Sequence, residues 1–429
     1  MTTVLEAIDA FNRKDYKEVI AITNNLLKED RTNGEAFNLM GSACLMMHNY
    51  EHAIGLFRRA LTLLPNDPRV ISNLAAALCD VDQIEESEVL AKQAVELVPG
   101  ELFFMLNLAR TYIKYNKFSQ ARDILLQILA IESSHREAHI ALGYLLILTG
   151  EPRAGWKEVE EYQPVTLRDK YGVEIFPFPR WNGMCLPNKT LMVVCDQGYG
   201  DAIQFARYLK DTRERVSRLI VLGPPELSVL GKVSGVDEFF SSYDAIPAGD
   251  IGMYCNISSL PGIGLKGQDT PYITTYGVPI DGKRPHIGLV WRGRPVPQGR
   301  SIPFEKLVGV LRQYTFDQEC TYVCLQKDVT DEEKAMLPEM TCPELTDFSV
   351  TAGIISTLNS VVGIDTAVTH LAGAIGVPVY LLLMAAQDWR WGTQTATGAV
   401  SPLYPRTRIF RQEVHGDWDS CLSKLKGWM

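Results

Sequence analysis

The sequence contains no apolar run of the ~18 residues that a membrane-spanning helix requires. Its first residues, MTTVLEAIDAFNRKDY, lack the basic start and apolar core of a secretory signal, so we expect a cytoplasmic protein. Nine cysteines are scattered without a CxxC pair, and the spacing of Cys320 and Cys324 suits no common metal site. This pattern predicts buried thiols in place of disulfides or a cysteine-bound metal.

An excess of basic residues is also missing, because the formal net charge is −9. Residues 1–165 carry 16 Lys and Arg against 23 Asp and Glu, so this segment accounts for −7 of the total. Such a surface repels phosphates, which argues against nucleic acid and anionic membranes as partners. His135 and His139 have a spacing that can hold a metal ion, but no third ligand lies nearby in the sequence, and we expect no metal site.

A repeat of 34 residues is present in this acidic segment. Three series of positions keep this spacing: one of small residues, one of larger apolar residues and a third of mainly aliphatic residues. They are Ala7, Gly41, Ala75, Ala109 and Gly143; Tyr16, Tyr50, Ile84 and Phe118; and Leu26, Ala60, Ala94 and Ile128. Small side chains at a fixed spacing allow two helices to approach closely, and the apolar spacing within each unit is helical.

These series resemble the tetratricopeptide repeat, with four units to about residue 133 and a fifth in which Pro152 replaces the aromatic residue. We therefore predict a helical solenoid over residues 1–165. The resemblance implies a concave groove that binds an acceptor protein or peptide. A rigid spacer or an oligomerisation surface is the alternative.

After a proline-rich linker at residues 166–188 the pattern changes to strand, loop and helix. Predicted strands are Leu191–Cys195, Arg218–Leu222, Ile251–Cys255, His286–Trp291, Thr321–Gln326, Ser360–Gly363 and Val379–Leu383. Alternating strands and helices predict two Rossmann-like halves with parallel sheets, at residues 189–283 and 284–429. Ligands of such folds bind at the carboxyl ends of the strands.

One of these ends carries Asp365 and Thr366 at the start of a predicted helix, with His370 one turn further. A helix N-terminus favours an anion such as a phosphate, which Thr366 could bind while Asp365 contacts a sugar hydroxyl. The alternative is that Asp365 only caps the helix.

The same segment resembles glycosyltransferase family 9, the heptosyltransferase-like enzymes, through their D-[ST]-x-x-x-H-[LI]-A-x-A-x-G-x-P pattern. The matching residues are Asp365, Thr366, His370, Leu371, Ala372, Ala374, Gly376 and Pro378. The resemblance implies the GT-B fold of two Rossmann-like halves. It also implies transfer of sugar from a nucleotide-sugar donor, without a required metal or a further cofactor.

The loop WRGRPVPQGRSIPF follows another strand and ends like the family's R-S-[IL]-P segment. Arginine forks suit phosphate oxygens, so we predict Arg292 and Arg300 as ligands of the donor diphosphate; a solvated basic loop is the alternative. Gln326 and Lys327 end the next strand in a segment resembling the family's S-L-Q-K, and we expect one of them to face the donor.

A third loop, DQGYGD, ends in Asp201 and resembles the family's E-Q-G-x-G-D segment. The family match implies that Asp201 is the general base on the acceptor hydroxyl, whereas a helix cap is the alternative. Glycines at 198 and 200 would let the backbone pass close to a ligand, and Gln197 and Gln204 are expected to contact the acceptor.

The cluster Gln387–Trp391 contains Trp389, for which two roles are open. Its ring could stack on a base or sugar of the donor, or it could pack inside the protein. D-W-R-W and the later P-x-x-R-x-F-R stretch resemble the subgroup in which tetratricopeptide repeats are fused to this transferase. That subgroup resembles flagellin and other protein glycosyltransferases. We also expect residues 417–429 to form a terminal helix that crosses back to the first half, as in GT-B folds.

Three functions remain open from the sequence. The first is protein glycosylation, in which the repeats hold the acceptor. The second is a non-catalytic adaptor with a nucleotide-sensing scaffold. The third is a transferase that acts on a saccharide or another acceptor that is not a protein.

Overall fold

The computed structural model describes residues 3–162, 176–247, 249–277, 285–294, 299–314, 320–393, 396–425 and 428. The chain divides into two compact units, one that ends at Leu145 and one that begins at Leu146. Residues 166–175 of the predicted linker and the predicted domain boundaries at 165 and 283 lie outside the described residues.

The first unit consists of antiparallel helix pairs. Its helices are α1 Val4–Asn12, α2 Tyr16–Glu29, α3 Gly34–Met46, α4 Tyr50–Leu63, α5 Pro68–Asp80, α6 Ile84–Leu97, α7 Leu102–Lys114, α8 Phe118–Ile131 and the beginning of α9 Arg136–Leu148. The second helices begin at Tyr16, Tyr50, Ile84 and Phe118, so the predicted 34-residue spacing is confirmed. This segment is a helical repeat of the tetratricopeptide type.

Small residues of the repeat lie where the paired helices meet. Ala7, Ala75 and Ala109 are fully buried. A Cβ on Gly41 would lie 2.7 Å from the ring of Phe57, which is itself fully buried. Close helix approach therefore selects the small side chains, as expected from the sequence.

The loops between paired helices share a backbone conformation, at a fixed spacing, that the residue types do not predict. One loop residue in each pair has a left-handed backbone, and these residues are Lys14, His48, Asp82, Asn116 and Gly150, each 34 positions apart. In the first pair, Asp15 N donates to Ala10 O across this residue at 3.0 Å. A left-handed residue ends a helix while the last carbonyls of that helix remain hydrogen-bonded. The backbone conformation at this position therefore repeats every 34 residues, although the residue type varies.

Lys14→Gly tests this loop geometry. Lys14 has φ of 63°, which costs energy for a residue with a Cβ, so we expect stabilisation by about 0.5–1 kcal/mol. Lys17→Gly, inside α2, should instead destabilise by about 1 kcal/mol. Urea unfolding measures both, and a loss of stability in Lys14→Gly would contradict the assignment.

The second unit contains two sheets. In the first sheet the strands are β1 Leu186–Val194, β2 Val216–Leu222, β3 Glu238–Phe240 and β4 Ile251–Asn256, all parallel in the order β3-β2-β1-β4. The three predicted strands are confirmed, and β3 was missed because only three residues pair. Helix α11 Tyr199–Phe205 follows β1, and α12 Leu209–Arg213 follows shortly after.

The second sheet has six strands in the order β6-β5-β7-β8-β10-β9. They are β5 His286–Val290, β6 Thr321–Cys324, β7 Ser360–Ile364, β8 Val379–Leu383, β9 Ala399–Val400 and β10 Thr407–Arg411. All neighbours are parallel except β9 and β10. Its helices are α13 Phe304–Tyr314, α14 Asp331–Met336, α15 Phe348–Ile355 and α16 Ala367–Ile375.

The terminal helix, α17 Trp418–Ser423, corrects one expectation. Trp418, Cys421 and Leu422 are buried in the core of the second sheet, together with Leu307 and Leu311 of α13. Lys306 on α13 also forms a 2.6 Å ion pair with Asp419. The apolar face of α17 is therefore used within its own half, and the expected crossing to the first half is wrong for the described residues.

Helix α10 Pro152–Tyr162 is the second helix of the fifth predicted repeat, yet it belongs to the second unit. It packs closely on the 3-10 segment Ile257–Ile263, which follows β4. A Cβ on Gly262 would lie 3.3 Å from Glu160 Oε2 and 3.4 Å from Trp156 Cβ. Gly262 therefore permits this approach. Throughout the described segments, no helix is both long and apolar enough to span a membrane.

Candidate functional site

Asp201 lies in the first turn of α11, just beyond the carboxyl end of β1. Its Oδ1 accepts a hydrogen bond from Arg390 Nε at 2.8 Å, and its side chain is 15% exposed. Oδ2 has no hydrogen-bond partner among the described residues. Arg390 therefore engages one oxygen of this carboxylate and leaves the other without a hydrogen bond from the described residues.

The loop before Asp201 is tied to the segment that follows β4. Asp196 Oδ2 accepts from Ser258 Oγ at 2.5 Å, and Gln197 Nε2 donates to the same carboxylate at 3.1 Å. Burial raises the pKa of Asp196, and the hydrogen bonds from Ser258 partly oppose this shift. Asp196 and Gln197 thus shape the loop.

Gln204, expected to contact the acceptor, is buried in α11, and its side-chain oxygen has no partner among the described residues. Gly198 precedes the helix, and a Cβ there would meet only Asp201 Oδ2, at an ordinary 3.5 Å. Among the described residues, neither Gln204 nor Gly198 forms a direct hydrogen bond with another predicted site residue.

Gly200 lies where α11 crosses α16. A Cβ at this position would be 3.1 Å from His370 Cδ2 and 3.5 Å from Ala367 Cα. The missing side chain therefore lets two helices approach, in place of the expected close passage of a ligand. This crossing brings the helix of Asp201 beside the helix that follows Asp365.

Asp365 directly follows β7 and lies beside Arg300 and His370. Arg300 Nη2 lies 3.6 Å from its Oδ2, and His370 Nε2 lies 3.6 Å from its Oδ1. Burial opposes charge on this carboxyl, but His370, Arg390 and Arg300 together hold its pKa well below the usual 3.8. The structure thus brings together Arg300, Asp365 and His370, three residues that the sequence analysis assigned to donor binding.

His370 is almost fully buried and supported on both sides. Its Nδ1 is 2.9 Å from the hydroxyl of Tyr404, and its ring stacks on Trp391 with centroids 4.6 Å apart. Tyr272 also approaches this group, and its hydroxyl donates to Ile203 O in α11 at 3.0 Å. The imidazole orientation is therefore determined by packing, with Nε2 directed at Asp365.

Three residues, Arg300 and Thr366 beside Asp365 and Trp391 stacked on His370, each carry a buried polar atom without a hydrogen-bond partner among the described residues. The atoms are Arg300 Nε, Thr366 Oγ1 and Trp391 Nε1. Burying a polar atom without a partner costs about 1–3 kcal/mol. One of these atoms, Thr366 Oγ1, lies at the N-cap of α16, where a polar ligand could supply the missing partner.

Arg390 pairs with Asp201 and Asp388 and was not foreseen as a site residue. Besides Asp201, its Nη1 lies 3.2 Å from both oxygens of Asp388. Burial alone would lower the pKa of Arg390, but Asp388, Asp201 and Asp365 raise it above its usual range. Sequence analysis singled out D-W-R-W for its rings, whereas its arginine is the residue in contact with Asp201.

The structure corrects the prediction for Arg292. Its guanidinium binds Glu333 through Nη1 at 2.7 Å and Nη2 at 3.2 Å, and Nε lies 3.5 Å from Asp328. Glu333 is held in place by capping α14, so it satisfies Arg292 within the protein. Gln326 is likewise engaged, since its Oε1 accepts from the backbone N of Arg292 at 3.0 Å. Lys327 is exposed.

Trp389 follows the packing alternative. Its ring is parallel to that of Phe205 at 6.0 Å and perpendicular to that of Trp156 at 5.1 Å. The Arg390 guanidinium lies 4.2 Å from its centroid. The ring therefore supports Arg390. Within the described ranges, no group of three or more His, Cys, Asp or Glu side chains could hold a metal ion.

The chain is similar to three curated proteins. Protein FlbA of Caulobacter vibrioides is 23% identical over 91% of this chain and 72% of that protein. Tetratricopeptide repeat protein 21B of Xenopus laevis is 29% identical over 28% of this chain and 9% of its own length. Human protein O-mannosyl-transferase TMTC3 is 23% identical over 35% of this chain and 18% of its own length. The chain thus spans less than a fifth of the last two proteins.

No family model matches the chain. Similar solved structures include PilW, a type IV pilus biogenesis factor, at 22% identity over 37% of this chain and 74% of that chain, with a TM-score of 0.35. A tetratricopeptide repeat protein of Thermus thermophilus is 18% identical over 38% of this chain and 91% of its own, with a TM-score of 0.34.

Asp365→Asn tests the charge balance around Asp365. Its lowered pKa means that the charged form stabilises the fold above pH 3.8, and that this contribution is lost as pH falls through the lowered value. We expect the variant to be less stable by about 1–3 kcal/mol at pH 7, with the gap narrowing below pH 3.8.

Urea midpoints between pH 3 and pH 7 measure this gap. The control is Asp331→Asn, because that side chain is 94% exposed and should change stability by less than about 0.5 kcal/mol. A gap independent of pH would show that the Asp365 charge does not stabilise the fold.

Proposed function

We propose that this protein is a metal-independent inverting glycosyltransferase that moves a sugar from a nucleotide-sugar donor to a hydroxyl acceptor. The observation that carries the proposal is the pairing of Asp201, which follows β1, with Arg390, which follows β8, beside Asp365, which follows β7 and is paired with Arg300. The charge of Arg390 also contributes to the lowered pKa of Asp365. Each sheet belongs to one half of a GT-B-like module in this interpretation.

The donor is assigned to the second half. Its diphosphate would lie at the start of α16 and receive hydrogen bonds from Thr366 Oγ1 and Arg300 Nε, two buried atoms without a hydrogen-bond partner among the described residues. Asp365 then contacts a sugar hydroxyl, and His370 keeps its carboxylate charged. Positive charge at the helix N-terminus and on Arg300 offsets the diphosphate, which supports transfer without a metal.

Asp201 is assigned as the general base. The acceptor oxygen attacks the anomeric carbon on the face opposite the leaving group, the bond to the diphosphate breaks, and Asp201 Oδ2 takes the acceptor proton. The diphosphate leaves with the electron pair of the broken bond. Arg390 holds the other oxygen of Asp201, which leaves Oδ2 directed at the acceptor.

The helical repeats are assigned to the acceptor, a protein whose Ser or Thr receives the sugar. Tetratricopeptide arrays expose a concave surface suited to peptides. The excess of acidic residues in this segment favours a neutral or basic acceptor. The partial similarity to a protein named O-mannosyl-transferase is compatible with a protein acceptor.

Asp201→Asn should reduce kcat by about 100-fold to 10,000-fold with little change in donor affinity, since the amide cannot accept the proton. Sugar transfer from a panel of labelled nucleotide sugars measures kcat and KM. The matched control is Asp388→Asn, which removes another carboxylate from the same Arg390.

We expect Asp388→Asn to lose about tenfold or less, because Asp388 is given no role in proton transfer. Equal losses in the two variants would mean that Asp201 only anchors Arg390, which would remove the assignment as base.

Donor binding is tested with nucleoside diphosphates. Thr366→Val keeps the side-chain shape but removes the hydroxyl, so affinity should fall by about threefold to tenfold. Thr357→Val is the control, because that hydroxyl only donates to Ile354 O within the protein. Calorimetry and thermal shift measure both variants.

The adaptor alternative is favoured by the internal pairing of Arg292 with Glu333, which withdraws one expected donor ligand. Nucleotide binding without transfer of any sugar would support a nucleotide-sensing adaptor. Failure of every nucleoside diphosphate to stabilise the protein would contradict both the transferase and the sensor.

A further inference from the structure

Helix α10 carries Trp156 to the proposed catalytic group, although its sequence belongs to the repeat pattern. Trp156 is 7% exposed, and its ring meets Phe205 edge to face at 5.2 Å and Trp389 at 5.1 Å. Phe205 lies four residues after Asp201 on α11, one helical turn away. Trp389 directly precedes Arg390. One ring thus contacts the neighbours of both members of the Arg390–Asp201 pair.

The three rings of Trp156, Phe205 and Trp389 constrain one another. Phe205 and Trp389 are parallel within 7°, and Trp156 is nearly perpendicular to both. Edge-to-face and offset parallel contacts of this kind each contribute attraction beyond buried area. The orientation of Trp389 therefore depends on the ring supplied by α10.

Arg390 depends in turn on Trp389. Its guanidinium lies 4.2 Å from the ring centroid while Nε donates to Asp201 at 2.8 Å. A planar guanidinium over a ring face has few orientations that also keep a hydrogen bond of this length. Tilting the ring would move the guanidinium and so the carboxylate.

The position of α10 is determined by contacts that do not involve the rings. Glu160 pairs with Arg180 at 3.5 Å, and Gly262 leaves room for the backbone of α10 beside the segment after β4. These contacts also hold α10, and with it the backbone of Trp156, beside the segment after β4.

We propose that Trp156 is a positioning residue for the Arg390–Asp201 pair, acting through Trp389 and Phe205. The last helix of the repeat pattern is then a structural part of the transfer site. This inference deepens the proposed function and rests on it for the kinetic consequence, but the contact chain can be tested without any activity.

The kinetic test uses Trp156→Leu in the full-length chain. We expect kcat to fall about tenfold to 100-fold, because misplacement of a base by less than ~1 Å has effects of this size. KM for the nucleotide sugar should change by less than about twofold, since the rings act on the Arg390–Asp201 pair and the donor is assigned to Arg300, Thr366 and Asp365. Trp156→Phe should retain kcat within about threefold because it keeps an aromatic edge.

The matched control is Val159→Ala on the same helix. Val159 is also buried but is absent from the ring contacts, so it removes packing from α10 without tilting Trp389. Its kcat should stay within about twofold of the wild type. A kcat loss in Val159→Ala as large as that of Trp156→Leu would overturn the proposal.

The second test is a double-mutant cycle on stability. Trp156→Leu and Asp201→Asn should be non-additive, with the combined change in the unfolding equilibrium constant smaller than the product by about threefold or more. The cycle of Val159→Ala with Asp201→Asn should be additive within about twofold. Should Trp156→Leu fail to fold, the cycle is measured with Trp156→Phe, for which a smaller deviation in the same direction is expected.

The two proposals fail in different ways. A wild-type protein that transfers no sugar from any donor would reject the proposed function, while the cycle would still report whether Trp156 positions Arg390 on Asp201. Additive cycles together with active wild-type protein would reject the positioning role and leave the transferase proposal in place.

Discussion

The site of this protein depends on the ion pairs that the guanidinium of Arg390 forms with nearby carboxylates. This guanidinium pairs with Asp201 and Asp388 and is close enough to Asp365 to lower the pKa of that carboxyl. Partly buried carboxylates repel one another, and they persist in a fold only when paired or hydrogen-bonded. Arg390 supplies this compensation for residues from both sheets. The two carboxyl-terminal sheet edges of the second unit are thereby held as one polar group.

The helices around this group explain why the carboxylates can meet at all. Gly200 allows α11 to cross α16 within contact of His370, and Tyr272 and Tyr404 fill the space behind the imidazole. The site is therefore charged at its centre and aromatic at its sides. Aromatic walls lower the local dielectric and strengthen each charge interaction inside them. A ligand that supplies partners for the unpaired polar atoms near Asp365 would gain from the same environment.

How far the sequence could be interpreted depended on the distance between interacting residues. Periodic patterns predicted the helix pairs to the residue at Tyr16, Tyr50, Ile84 and Phe118, because each pair is built from neighbours in the chain. Strand and helix alternation predicted seven strands for the same reason. Arg292 shows where prediction from the sequence stops. It was predicted to bind the donor, but its guanidinium binds Glu333, which lies 41 residues away in the chain. The short strand β3 and the packing of α17 were also not predicted, because both depend on residues that are distant in the chain.

The sequence by itself determined the helical repeat and the alternation of strands and helices that gives the parallel sheets, because spacing and local chemistry carry that information. Only the tertiary structure decided which arginine reaches Asp201, where Trp389 lies, and that α10 belongs with the sheets in spite of its repeat pattern. Those outcomes depend on which side chains compete for the same carboxylate or ring in space. No local pattern records that competition, since the competing residues lie tens to hundreds of positions apart in the chain.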